Sequence, residues 1–339
     1  MSERLAKDGA RALRGQTCTL PSEASPVGDD AVESQDLLVF ETVARVGGIS
    51  RAALELHTVQ SNVTARVRLL ERELGVPLFH RHSRGVRLTS AGEALLPYAS
   101  RLRLLLAEAR RAVEDGGVPR GALRIGSLET TAALRLPPVL AAYSRAYPAV
   151  DVTLHTGTSD SLVNDVLDYR LEGALVAGPV RHPALVETPI VEEELVVVTA
   201  PGCADLDAYL AAADEVKLIV FRTGCSYRQR FEAILAARGH TALRRLELGT
   251  LDGIVGCVAA SVGITLLPRA VVEQAWRDGH VALHPLPAEQ ACVPTVFVRR
   301  RDAFVSSALA RFVDCCRAAQ SPAMPPAAPA PIHSTETGV

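Results

Sequence analysis

The stretch LHTVQSNVTARVRLLERELG, residues 56–75, carries apolar side chains at Val63, Val67, Leu70 and Leu74. At about 100° per residue these four share one side of a helix. Ser61, Ala65, Arg68 and Arg72 centre on the opposite side, flanked by Asn62 and Thr64. Such a helix must bury one face and leave an arginine-bearing face outside. Its neighbours decide whether that outer face is merely wet or reads a partner.

Upstream, Ser34 can cap a helix on which Leu37, Phe40, Val43 and Ala44 share a face, and GGI (47–49) breaks it. Ser50 can cap a second short helix, RAALELH. The connector TVQ leads to Ser61, a candidate cap for the third, which Gly75 and Pro77 end. LFHRHSRGVRLT then reads as two short strands around SRG, with arginines at the tip. Three short helices followed by a basic hairpin predict a winged helix-turn-helix, whose second turn helix lies in the major groove. The charge is local: residues 60–90 hold six arginines against two glutamates, while the whole chain has a formal net charge of −2.

The chain of 339 residues is 48% hydrophobic and 22% charged, ordinary globular usage with room for two or three domains. Seven scattered cysteines (Cys18, Cys203, Cys225, Cys257, Cys292, Cys315, Cys316) include no CxxC pair and no histidine at zinc spacing. Reduced thiols and a cytoplasmic home are expected, with no metal and no cofactor. MSERLAKDGARALRG lacks the apolar core of an export signal, and the least polar run, residues 254–268, is too short to span a bilayer. Residues 1–33 and the Pro/Ala-rich 319–339 read as disordered.

Between these ends the chain divides into 34–90, 91–117 and 118–318. Ser90 with Glu93 resembles a capping box. The helix behind it spaces Leu95, Tyr98, Leu102, Leu105, Ala109 and Ala112 at alternating steps of three and four, a coiled-coil seam. It either packs on its own domain or pairs two copies of the chain; its place before the hinge-like DGGVPRG favours pairing. From residue 120, short apolar strands (ALRIGS, VDVTLHTG, GALVAG, ELVVVTA, VKLIVF, RRLELG, GITLLP, TVFVRR) alternate with helical stretches, an α/β pattern.

With RAALELHTVQSNVTARVRLLERELGVPLFHRHSRGVRLTSAGE, and LRIGS with LETTAALRLPP, the chain resembles the LysR-type transcriptional regulators over residues 34–318. The resemblance implies an α/β fold with an N-terminal winged helix-turn-helix, a linker helix and a two-lobed effector domain like type 2 periplasmic binding proteins. Lobe I is expected at about 120–189 and 285–318, and lobe II at about 190–284. A small-molecule cleft is implied between them. One departure stands out: Gln60 matches the family's recognition helix and Thr64 is close, but Ala65 stands where an arginine is usual. Base readout is then expected to shift to Asn62, Arg66 or Arg68.

Gln60, Ser61, Asn62, Thr64, Arg66 and Arg68 are therefore candidates for base edges, since Gln and Asn suit adenine and Arg suits guanine. Arg51, Arg81, Arg84 and Arg87, with the Ser50 hydroxyl, are candidates for phosphates. The implied cleft draws on Ser127, Glu129, Thr130, Thr131, Thr158, Ser159, Cys225, Ser226, Tyr227 and Thr250, with Gly249 beside them; each Ser or Thr is equally readable as a helix cap. Cys225, near Arg222 and Arg228, is either an activated thiol sensor or a cleft-lining residue. No G-x-S-x-G, H-E-x-x-H or phosphate-loop motif is present, so no enzyme is expected. The expected partners are double-stranded promoter DNA, a small-molecule effector and a second copy (homodimer or homotetramer), with RNA polymerase a further candidate and no membrane.

Overall fold

The computed structural model describes residues 32–82 and 85–319. The expected extension at 1–33 and tail at 319–339 fall almost wholly outside them, as does Arg84. The chain separates into two compact units whose boundary, Ala99/Ser100, lies inside a helix.

In the first unit, α1 (Ser34–Val46), α2 (Ile49–Glu55) and α3 (Gln60–Glu73) are followed by an antiparallel hairpin of β1 (Phe79–His82) and β2 (Gly85–Leu88). Val39, Phe40 and Val43 of α1 meet Ala52 and Ala53 of α2 and Val63, Val67 and Leu70 of α3 in one core. Phe79 closes it from the hairpin, its ring centroid 5.2 Å from that of Phe40. The expected serine caps do not form. The cap positions are Glu33, Gly48 and Val59, none of which caps through its side chain. At α3 the Val59 carbonyl already accepts from the Asn62 and Val63 amides, so the helix starts before Ser61.

The long helix α4 (Ser90–Glu114) spans the unit boundary. Its cap is Thr89 rather than Ser90: the Thr89 Oγ1 accepts from the Gly92 amide at 3.1 Å and donates to the Pro77 carbonyl at 2.7 Å. Thr89 is buried and so held, while Ser90 is exposed. Gly92 is required here, because a Cβ would lie 2.3 Å from the Leu78 carbonyl oxygen.

In the second unit, β3 (Gly121–Leu128), α5 (Glu129–Leu134), α6 (Leu136–Ala146), β4 (Val150–Gly157), α7 (Ser159–Leu167) and β5 (Gly173–Ala177) build lobe I on parallel pairings of β3 with β4 and β5. The 15-residue β6 (Leu185–Thr199) then crosses into lobe II. There follow α8 (Leu206–Ala211), β7 (Val216–Val220), α9 (Ser226–Ala237), β8 (Leu243–Glu247), α10 (Leu251–Ala259), β9 (Thr265–Pro268), α11 (Arg269–Arg277) and β10 (Ala282–Pro285). After the single turn α12 (Ala288–Ala291), β11 (Cys292–Arg300) returns to lobe I and α13 (Ser307–Ala318) closes it.

The crossing points differ from expectation. β6 pairs with β11 through Glu194 and with β9 and β10 from Leu195 onward, and β11 begins at Cys292. The lobes therefore exchange at 194/195 and 291/292 rather than near 189/190 and 284/285. Pro189 hides this strand in the sequence, since proline cannot donate to a ladder. A bulge opposite Thr295/Val296 absorbs it. The second half of α4 is tied to lobe I: Glu108 accepts from Arg300 and from the Phe304 amide, and the Arg300 guanidinium lies 3.5 Å over the Tyr169 ring.

Candidate nucleic-acid interface and ligand cleft

Because Val63, Val67 and Leu70 are fully buried, α3 is rotationally fixed, and Gln60, Ser61, Asn62, Ala65, Arg68 and Arg72 are exposed on its outer face. Several of these groups are pre-ordered. Ser50 Oγ donates to Gln60 Oε1 at 3.2 Å, tying α2 to the start of α3. Asn62 Nδ2 donates to Thr58 Oγ1, and Thr64 Oγ1 to the Gln60 carbonyl. The Thr64 hydroxyl is thus spent on its own helix. Glu71 accepts the Leu78 and Phe79 amides at 2.8 and 3.3 Å and so docks the hairpin onto α3.

Arg66 is placed differently from Arg68. Its Nη1 donates to Asp36 Oδ1 at 2.7 Å, and Asp36 is fully buried. Arg66 neutralises an interior carboxylate of α1 and turns inward from the outer stripe, whereas Arg68 is exposed and among the described residues forms no ion pair. Arg51 is exposed and folds back over Gly47 and Gly48, and Arg87 is exposed on β2. Arg81 lies in β1, its side chain outside the described set together with all of Arg84.

On α4 the seam residues divide. Leu95 packs against the core of the first unit, and Leu102 is half-buried. Tyr98 is 67% and Leu105 46% exposed, Ala109 is exposed, and Val113 extends this apolar stripe.

The second unit holds a cavity of about 380 Å³ between its lobes. Leu128, Glu129 and Thr130 line it at the end of β3, and Thr156, Gly157, Thr158 and Ser161 at the end of β4. Lobe II contributes Phe221, Arg222, Thr223, Cys225 and Tyr227 after β7, with Leu248 and Gly249 before α10. Glu129, Thr130, Thr158, Cys225, Tyr227 and Gly249 are thus brought together as expected positions.

Other expected residues do different work. Ser127 is fully buried and donates to the Leu128 carbonyl; Thr131 is buried within α5. Thr250 caps α10 by accepting from the Gly253 amide. Ser159 and Ser226 join the lobes directly, with Oγ atoms 2.7 Å apart, and line a neighbouring cavity. The lobes also touch where the Asp160 amide donates to the Gly224 carbonyl at 3.3 Å. Thr158 both lines the cavity and caps α7 in a capping box with Ser161. Thr156 and Gly157, missed in the sequence, continue the same strand end as Thr158. Phe221 and Leu248 fall in the strand-like runs VKLIVF and RRLELG, and only the tertiary fold turns them toward a cavity.

Beneath the cavity, the Tyr227 hydroxyl is buried beside Thr130 and Thr295 with no hydrogen bond of ordinary geometry. Burial, and then the nearby Glu193 charge, hold the phenol far above its usual range. Glu193, just before the strand crossing, is held bidentately by Arg135 at 2.9 and 3.0 Å. For Cys225, burial pushes the thiol up and outweighs the Arg228 and Tyr227 amides and the Arg228 charge that favour the thiolate. Arg228 itself is engaged by Glu232 and Glu247. Desolvation thus exceeds the pull of the helix N-terminus, which disfavours an activated thiol at Cys225.

Residues 34–93 match the family model described as bacterial regulatory helix-turn-helix protein, lysR family, and residues 116–321 match the LysR substrate binding domain. The HTH-type transcriptional regulator GltR of Bacillus subtilis (strain 168) is 41% identical over 279 residues, covering 82% of this chain and 94% of its own length. The uncharacterized HTH-type transcriptional regulator YusT of the same organism is 45% identical over 283 residues, covering 84% and 95%. Among solved structures, full-length CbnR complexed with its target DNA aligns at a TM-score of 0.60 and 26% identity over 85% of this chain and 99% of that one. ArgP from Mycobacterium tuberculosis shares the fold, with a TM-score of 0.61 at 22% identity over 84% and 96%. A helix-turn-helix unit, a two-lobed unit with a cavity between its lobes and these relatives together place the chain in the LysR family of transcriptional regulators.

Proposed function

We propose that this regulator binds promoter DNA as a homodimer or homotetramer paired through the apolar stripe of α4, with α3 in the major groove. Gln60, Ser61, Asn62 and Arg68 read base edges, while Arg51, Arg81, Arg84 and Arg87 hold phosphates. The carrying observation is the fixed rotation of α3, which leaves Arg68 exposed and Arg66 half-buried against Asp36. CbnR, solved on its target DNA, supports the same use of the fold. An effector in the interlobe cavity shifts lobe closure, and the linker α4, tied to lobe I through Glu108 and Arg300, carries that shift. The chain works as a regulator and not as an enzyme, in the cytoplasm, with RNA polymerase as a further partner. Among the described residues no helix is long and apolar enough to cross a membrane.

The test is fluorescence anisotropy of the full chain on fragments from upstream of its own gene, over a salt series. Arg68→Ala is expected to weaken binding and relax sequence preference, and Arg87→Ala to weaken all sequences alike and lower the salt slope by about one. Failure to bind any fragment at low salt sinks the reading.

A further inference from the structure

The interlobe cavity carries two opposite charges that nothing else in the described residues neutralises. Glu129 opens α5 on lobe I and Arg222 follows β7 on lobe II; both line the cavity, and neither forms an ion pair or side-chain hydrogen bond there. This is not the habit of the surrounding charges. Arg228 is taken by Glu232 and Glu247, and Arg135 by Glu193. The Arg222 guanidinium instead lies across Gly249, 3.4 Å from where a Cβ there would sit. The remaining lining is mixed, with apolar Leu128, Phe221 and Leu248 and the hydroxyls of Thr158 and Ser161.

Glu129 is half-buried and Arg222 exposed, and each gains a charge-assisted contact from a ligand group that pairs with it and covers it from water. A simple carboxylate satisfies Arg222 and meets repulsion from Glu129; a simple amine does the reverse. A molecule with both groups satisfies both walls and bridges the lobes, so its binding favours closure. A cavity of about 380 Å³ is within the usual size for small-molecule sites. We propose that the effector is a small zwitterion, an amino acid with an apolar side chain, whose carboxylate is met by Arg222 and whose ammonium is met by Glu129. This rests on the cavity being the effector site.

The experiment uses the full chain and matched triplets: leucine and phenylalanine, their deaminated acids 4-methylpentanoate and hydrocinnamate, and their decarboxylated amines isoamylamine and phenethylamine. Thermal shift and titration calorimetry are the readouts. At least one amino acid is expected to bind about ten-fold or more tighter than either of its halves, as loss of a charge-assisted contact implies. Glu129→Gln should then weaken the amino acid and tighten the acid, whose repulsion it relieves, while Arg222→Ala should weaken the amino acid and tighten the amine. Thr158→Trp and Gly249→Trp fill the cavity by two routes; either one, if it keeps the far-UV spectrum, serves as the blocked control. Acids binding as tightly as amino acids, and lost in the blocked control, overturn the zwitterion and keep the cleft. So does a metabolite of another charge type that binds, is blocked, and finds no amino-acid competitor. Binding undiminished in the blocked control overturns both.

Discussion

The outer face of α3 takes its polar groups from 14 consecutive residues, whereas the cavity takes its own from loops between Leu128 and Gly249. The first surface is set by helix periodicity and one small core. The second exists only because parallel strands end side by side and two long strands carry the chain from lobe to lobe. Damage should follow the same division. The DNA-facing surface fails when the core beneath it fails, and the cleft fails when the lobes lose their fit.

The strongest way to break this comparison is Phe40→Ala. Phe40 is fully buried and packs on Phe79; its truncation should cost about 3–5 kcal/mol of the first unit's stability. DNA binding should be lost while the higher-numbered unit keeps its own calorimetric transition. Loss of both transitions together would show that the two units do not fold separately. Next comes the pair Arg66→Ala and Arg68→Ala, two residues apart in the chain and on opposite sides of α3. Removing Arg66 strands the buried Asp36 carboxylate and should cost on the order of 2–3 kcal/mol, less than a fully buried pair because the arginine is partly exposed. Removing Arg68 should leave the melting temperature unchanged and weaken DNA binding. An unchanged melting temperature in both variants would remove the interior role of Arg66.

These cases also mark what could be read from the chain. The winged helix-turn-helix, the strands of lobe I and the hairpin follow from local spacing, because Val63, Val67 and Leu70 recur at helical intervals. Helical spacing turns Arg66 about 200° from Arg68, but it does not reveal the partner, since Asp36 lies on another helix, 30 residues earlier. Likewise β6 escaped notice over Leu185–Glu193, where Pro189 interrupts the apolar pattern that a partner strand restores. In the cleft, strand ends identified Thr158 and Cys225. Which hydroxyls face the cavity and which join the lobes, as Ser159 and Ser226 do, depends on lobe packing that no local pattern encodes.

A smaller effect probes that packing. Gly224 has φ 91°, and a Cβ there would lie 2.8 Å from Thr158 Oγ1 across the lobe contact. Gly224→Ala should destabilise the second unit by about 1–3 kcal/mol through strain and steric opening. It should also weaken ligand binding while leaving the first unit's transition in place. Unaltered stability of the second unit would mean that the lobes do not meet closely at this point.

The mildest perturbation asks what kind of input the cleft takes. Burial raises the Cys225 thiol above its ordinary value, so at pH 7–8 its thiolate fraction is below that of a free thiol and grows only as pH climbs higher. The readout is a rate. Under native conditions iodoacetamide should modify the exposed Cys292 well before the buried Cys225, as read by peptide mass spectrometry over time. Bound ligand should slow Cys225 further, because it lines the cavity. Modification of Cys225 ahead of Cys292 at pH 7 would reverse the order and restore an oxidant as the signal.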